Sequence, residues 1–303
     1  VVVAYRASRP VTGFDVVASK LPGDDGYFCL ALTAGEDVAK GNEGMDYVFL
    51  LDISGSMGAD GKLAISRDSL AAFVNALDEK DRFEVMTFNV TPHPLFNGLR
   101  PAAAEAKTKA AEFLAAQQAR GGTVLGPALR VAYKYADPDR TLIVVVLSDG
   151  ITEQQERQEL LQSARTKPAL SRIFCIGVGN EVNRPLLTQM AEEAGGLAAF
   201  LSHGDDFQRQ AGAFRRKLVR PAAANLSVQF EGPQVYDLAP ERLPNLYYGA
   251  PVRLYGRYRS GGPVNIKVTG DINGARMEKT MKIELPKAAD DNPEVERMWA
   301  LRR

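Results

Sequence analysis

Two cysteines and two histidines in 303 residues leave little for thiol or imidazole chemistry. Cys29 and Cys175 each sit inside an apolar, strand-like run, so both are expected to be packed core thiols, and neither defines a redox compartment. His93 and His203 stand apart from any nearby nucleophile, and no catalytic triad or acid/base pair emerges. Charge of one sign is also lacking: 37 Lys and Arg balance 37 Asp and Glu, with a pI near 6.9, which is not the basic profile of a nucleic-acid binder. No apolar run approaches the roughly 20 residues needed to cross a bilayer. Repeats and low-complexity segments are missing. There is no initiator Met, signal peptide or lipidation signal, and Val1-Val2-Val3-Ala4-Tyr5 already reads as a strand, so the chain is read as a fragment or a processed form.

What is present is a globular composition, 45% hydrophobic and 24% charged. The length is generous for one core, which favours two domains or one domain with a large insertion. Residues 1 to 42 hold two extended runs, Val1 to Arg6 and Tyr27 to Thr33, separated by loop-forming Pro, Gly and Asp. From about Gly44 strands and helices alternate, the signature of a mostly parallel sheet. Strands are expected at Tyr47 to Leu51, Arg82 to Phe88, Thr141 to Leu147, Arg172 to Val178 and Leu197 to Leu201, with a short edge strand near Leu95 and Phe96. Helices are expected from Leu63, over Ala102 to Ala119, after Thr123, over Gln154 to Thr166, over Pro185 to Ala194, and from Asp205 to Pro221. Beyond Pro221 short strands alternate with Gly and Pro turns in an antiparallel pattern, and only Pro293 to Arg303 reads as helical again.

The chemistry-bearing stretch is Asp52-Ile53-Ser54-Gly55-Ser56. It follows a run apolar enough to be buried on both faces. The turn can gather the oxygens of Asp52, Ser54 and Ser56, and hard oxygens suit Mg²⁺, Ca²⁺ or Mn²⁺ rather than zinc. Taken alone the same turn reads equally well as helix N-capping. The most apolar strand ends at Ser148-Asp149-Gly150, however, and Thr123 follows Gly121-Gly122 at the start of a helix. Open α/β sheets bind ligands at the carboxyl ends of their strands, so these three segments can face one another. Other motifs are weaker. Around Gly58, Gly61 and Lys62 a phosphate loop fails, because Ser56 stands where the first Gly is required and Leu63 where the hydroxyl is required. Gly177 and Gly179 lack the third glycine of a dinucleotide site. Arg215, Arg216, Lys217 and Arg220 read as a solvated helix end, and Asn89 and Asn225 fit the glycosylation acceptor pattern.

Asp52, Ser54, Ser56, Thr123 and Asp149 in this setting resemble a von Willebrand factor A domain with a complete metal-ion-dependent adhesion site, over roughly residues 44 to 220. The flanking Gly26-Tyr27-Phe28, Leu243-Pro244-Asn245-Leu246, Gly256-Arg257-Tyr258 and Met298-Trp299-Ala300 resemble the inter-alpha-trypsin inhibitor heavy chain group. That group carries a separate N-terminal domain for which no residues here correspond, and the acidic C-terminal attachment signal of some members is missing. The resemblance implies Ser54, Ser56 and Thr123 near a metal, with Asp52 and Asp149 contacting it partly through water.

The expected fold is therefore α/β, a doubly wound and mostly parallel sheet flanked by helices (43–220). It is inserted in an antiparallel β-sandwich built from 1–42 and 221–287, with a helical tail at 288–303. The expected function is a non-enzymatic module whose Mg²⁺, with Ca²⁺ or Mn²⁺ as alternatives, coordinates an Asp or Glu of a protein ligand from the matrix or a cell surface. Nucleic acid is not an expected partner. A metal-dependent hydrolase and a domain with a fold-stabilising ion remain the alternatives. An extracellular, periplasmic or cell-surface setting follows from the resemblance only.

Overall fold

The computed structural model describes residues 13–33, 44–150, 154–201, 223–232, 234–247, 251–272 and 275–302. The chain divides into two compact units, one formed by Val1–Gly41 with Arg220–Arg303 and the other by Asn42–Val219.

Among the described residues the first elements are β1 (Gly13–Ser19) and β2 (Gly26–Thr33), an antiparallel pair of the first unit. The second unit then runs β3 (Asp46–Asp52), a 3-10 turn (Gly55–Gly61), α1 (Lys62–Asn75), β4 (Arg82–Phe88), β5 (Pro92–Pro94), β6 (Arg100–Pro101) and α2 (Ala104–Ala115). It continues through α3 (Gly126–Tyr133), β7 (Leu142–Ser148), α4 (Gln154–Arg165), β8 (Ser171–Val178), α5 (Arg184–Glu193) and β9 (Ala198–Leu201). The sheet order is β5-β4-β3-β7-β8-β9. All pairs among β4, β3, β7, β8 and β9 are parallel, while the short β5 and β6 pair antiparallel with β4.

Helices cover both faces. Val48 and Leu50 of β3 and Val144 and Val146 of β7 pack in one apolar cluster with Leu129 of α3, Leu160 of α4 and Met190 of α5. Phe49 alternates to the opposite face, where its ring lies 6.5 Å from that of Phe73 on α1. Burial on both sides is why β3 and β7 read as unbroken apolar runs rather than alternating ones. At the amino edge of the sheet the buried Asp46 accepts from Arg82 at 2.8 and 2.6 Å and from Arg140 at 3.0 Å.

The described strands of the first unit pair antiparallel. Its sheets are β1-β2-β12-β11, with β11 (Val235–Ala239) and β12 (Val252–Tyr258), and β10-β13-β14, with β10 (Ala224–Glu231), β13 (Gly262–Ile272) and β14 (Ala275–Leu285). Phe28 and Leu30 from one sheet and Ile266 and Val268 from the other belong to a single apolar cluster. The helix α6 (Glu294–Arg302) packs on the other side of β2, where Trp299 contacts Tyr27 and donates from Nε1 to the carbonyl of Asp237 at 2.8 Å.

The flanking motifs fall together here. In the β2–β12 ladder Gly26 stands opposite Tyr258 and Phe28 opposite Gly256. A Cβ on Gly256 would lie 2.6 Å from the Phe28 ring, and one on Gly26 would lie 2.3 Å from the Tyr258 ring, so each glycine makes room for the aromatic across from it. Arg257, between them, lies over the rings of Tyr27, Tyr236 and Trp299.

Several elements depart from the sequence expectations. Gly13–Ser19 and Val235–Ala239 are strands, although neither carries a long apolar run; both sit at the edges of their sheet, where one ladder is enough. The edge strand lies at Pro92–Pro94, upstream of Leu95 and Phe96, because the Phe96 amide turns to the Glu84 carboxylate instead of extending the ladder. The helix expected to reach Ala119 stops at Ala115, whose carbonyl accepts from Arg67 at 3.0 Å. The expected strand at 1–6 and helix at 205–221 lie outside the described residues.

Candidate functional site

Parallel strands present their carboxyl ends at one edge, and β3 and β7 are neighbours in register, Leu51 opposite Leu147. That register sets Asp52 beside Ser148, and Asp149 one residue further on. Asp52, Ser54 and Asp149 are buried, while Ser56 and Thr123 are half-buried.

Asp52 closes the first loop on itself by accepting from the Ser54 amide through Oδ1 at 2.8 Å. Its other oxygen, Oδ2, accepts from the Ser148 hydroxyl at 2.6 Å. Burial pushes the Asp52 carboxyl above the usual range, opposed by these bonds from Ser148 and Ser54, while the nearby Asp149 charge adds to the rise. Ser54 has the extended backbone of an N-cap (φ −62°, ψ 164°), yet its side chain makes no capping bond. The hydroxyls of Ser54 and Ser56 instead lie 3.2 Å apart. The capping alternative left open by the sequence therefore does not describe the use of the Ser54 oxygen.

The second loop is tied to the first by backbone. The Gly55 amide donates to the Gly121 carbonyl at 2.9 Å, and the Arg120 amide to the Ile53 carbonyl at 2.7 Å. Thr123 lines a small crevice together with Ser148 and Gly150. Just beyond it, the Leu125 amide donates to Glu156 of α4 at 2.6 Å. The third loop is braced by the Gly150 amide donating to Ser148 Oγ at 2.9 Å and by the Asn183 amide donating to the Asp149 carbonyl at 2.9 Å.

Sequence reasoning missed two participants. Ser148 was visible only as the residue before Asp149, although the register of two adjacent strands places it against Asp52. Lys62, read only as part of a failed phosphate loop, is buried, and its Nζ donates to Asp149 Oδ2 at 3.1 Å. A signal existed: Lys62 is the first residue of α1, where the helix dipole disfavours a cation, and no acidic residue stands in that first turn. Buried there, the ammonium needs a carboxylate, and Asp149 supplies it. The result is two carboxylates and three hydroxyls on three linked loops, a hard-oxygen donor set with one fixed ammonium beside it. Among the described residues, no group of three or more His, Cys, Asp or Glu side chains is arranged as a metal cluster. The donor chemistry here is mixed hydroxyl and carboxylate instead. No described helix is long and apolar enough to cross a membrane.

Comparison with known proteins agrees with this architecture. Inter-alpha-trypsin inhibitor heavy chain 4 of Mus musculus is 24% identical over 279 residues, covering 84% of this chain and 29% of the relative. The heavy chain H4 of Homo sapiens is 25% identical over 276 residues, covering 84% of this chain and 30% of the relative. The chain thus spans under a third of the length of these curated relatives. Among solved structures, a von Willebrand factor type A protein from Catenulispora acidiphila superposes with a TM-score of 0.64 at 13% identity, covering 96% of this chain and 77% of that one. The family model of the von Willebrand factor type A domain matches residues 45–200, and the chain belongs to that family.

Proposed function

We propose that this chain is a protein-binding module whose edge loops hold a divalent cation, Mg²⁺ or else Ca²⁺ or Mn²⁺, for coordinating an acidic side chain of a partner. The observation that carries the reading is the pair of Ser54 and Ser56 hydroxyls 3.2 Å apart, backed by the buried Asp52 and joined through Gly55 and Gly121 to the loop of Thr123. The donor set of Asp52, Ser54, Ser56, Thr123 and Asp149 fits a hard cation, since every donor is oxygen. When bound, such an ion supplies an electrophilic point for a carboxylate from outside the chain.

The residues' own work is orientation. Ser148 and the Ser54 amide hold the Asp52 carboxylate in one pose, and the loop ties keep the hydroxyls together before a ligand arrives. These roles are ones of orientation, so we assign binding rather than turnover. We further read the antiparallel unit as a β-sandwich into which the von Willebrand unit is inserted, and an extracellular, periplasmic or cell-surface setting by analogy with the inter-alpha-trypsin inhibitor heavy chains.

The test is capture of partners by the immobilised chain from matrix and cell-surface extracts, in Mg²⁺ and in EDTA, beside Ser56→Ala and Thr123→Ala. Partners retained in Mg²⁺ and lost in EDTA and in both variants, with far-UV circular dichroism unchanged, support the reading. Partners that survive chelation would place the binding surface elsewhere.

A further inference from the structure

Lys62 is the least expected member of the site. A buried ammonium beside a carboxylate proposed to serve a cation needs a reason, because it subtracts from the negative charge that would attract the ion.

The contact is built rather than incidental. Lys62 is 5% exposed, and its Nζ reaches Asp149 Oδ2 at 3.1 Å, with the Asp149 side chain wholly buried. The lysine stem runs past Gly179, at the end of β8, where a Cβ would lie 2.9 Å from Lys62 Cε and 3.1 Å from Cδ. Gly179 also has φ +105°, a conformation that side-chain-bearing residues rarely adopt. Two strand ends and a helix start are thus shaped around one ammonium. The two carboxylates are held differently: Asp52 accepts from Ser148 and Ser54, while Asp149 accepts from the Lys62 ammonium.

We propose that Lys62 is a tuning residue that trades resident-cation affinity for affinity toward an acidic ligand. This rests on the divalent-cation reading above. With Asp52 and Asp149 ionised, the two carboxylates alone would neutralise a divalent ion. With Lys62 included, the occupied site keeps one net positive charge. A site left positive binds its ion less tightly alone and gains more when an external carboxylate arrives. Ion and acidic ligand then bind as a coupled pair, each raising the affinity for the other.

The experiment is Mn²⁺ titration of the full chain, followed by electron paramagnetic resonance, with and without acetate as the carboxylate probe. It compares the wild type with Lys62→Met, which keeps the stem and removes the charge, and with Lys62→Gln, which keeps a donor. The expected result is Mn²⁺ affinity raised on the order of tenfold in both variants, with the acetate-induced gain reduced or abolished. A lysine that only filled space or held the loop would give equal or weaker Mn²⁺ binding when replaced, and that outcome in variants with native circular dichroism overturns the proposal alone. Failure of wild type and variants alike to bind Mn²⁺ overturns the divalent-cation reading and this proposal together.

Discussion

Ser148 Oγ donates to Asp52 Oδ2 at 2.6 Å across the ends of two adjacent parallel strands, and the same oxygen accepts from the Gly150 amide at 2.9 Å. One buried hydroxyl therefore fixes the first aspartate of the site and braces the loop of the second. Ser148→Ala leaves a buried carboxylate oxygen and a buried amide each short of a partner. The expected cost is about 1–3 kcal/mol of folding stability. Urea unfolding in EDTA, followed by far-UV circular dichroism, measures it; a midpoint equal to wild type would show that neither bond matters to the fold.

Glu84 makes a comparable bond set away from the site. Its buried carboxylate accepts from the amides of Val85 at 2.8 Å, Phe96 at 3.0 and 3.1 Å, and Gly98 at 3.0 Å. Burial pushes its carboxyl above the ordinary glutamate range, against the opposing pull of those amides. A carboxyl with a raised folded-state pKa holds its proton better when folded. Its contribution to stability is therefore fully present below the unfolded-state value and declines as pH rises through the folded one. Glu84→Gln sets an NH₂ against amide donors and is expected to lose about 1–3 kcal/mol. The wild-type advantage over this variant should be largest in acid and shrink as pH rises above the glutamate range. Denaturation of both proteins across pH 4 to 8 tests the sign, and a difference that grows with pH contradicts it.

Much of this was legible in the chain. The unbroken apolar runs before Asp52 and Asp149 announced strands buried on both faces, and their shared edge followed from the geometry of parallel sheets. Asp52, Ser54 and Ser56 were legible because they share one turn. Ser148 was not, because its role depends on strand register, and Lys62 was marked only by its place at the start of α1, since its path past Gly179 to Asp149 is set by the fold. The strands at Gly13–Ser19 and Val235–Ala239 were hidden for a related reason: each lies at a sheet edge, where burial writes only a faint alternation into the sequence.

The glycine–aromatic exchange between β2 and β12 carries a prediction for the first unit. Gly256→Ala would push a methyl to 2.6 Å from the Phe28 ring and 2.7 Å from Leu238 Cδ2. The ring is wholly buried and also packs against Phe230 at 5.3 Å, so it has little room to retreat. Overpacking of this kind is expected to cost about 1–3 kcal/mol. Thermal unfolding of Gly256→Ala should show a lowered midpoint, and pairing it with Phe28→Leu should recover part of the loss. No recovery would mean that strain lies in the backbone rather than against the ring.

The buried pair of Lys62 and Asp149 makes Asp149 a poor single probe of metal binding. Asp149→Asn removes a carboxylate of the proposed donor set and also strands a buried ammonium, and removing one partner of such a pair is expected to cost about 3–5 kcal/mol. In a Lys62→Met background the same substitution leaves no orphaned charge, so its cost should fall markedly. A double-mutant cycle in EDTA, read by chemical denaturation, is expected to give a coupling of about 1–3 kcal/mol. Equal costs of Asp149→Asn in the two backgrounds would show the contact to be without energetic weight. A positive coupling in EDTA makes the Lys62→Met, Asp149→Asn protein the right control for partner capture, because it lacks the carboxylate without carrying an unpaired buried charge.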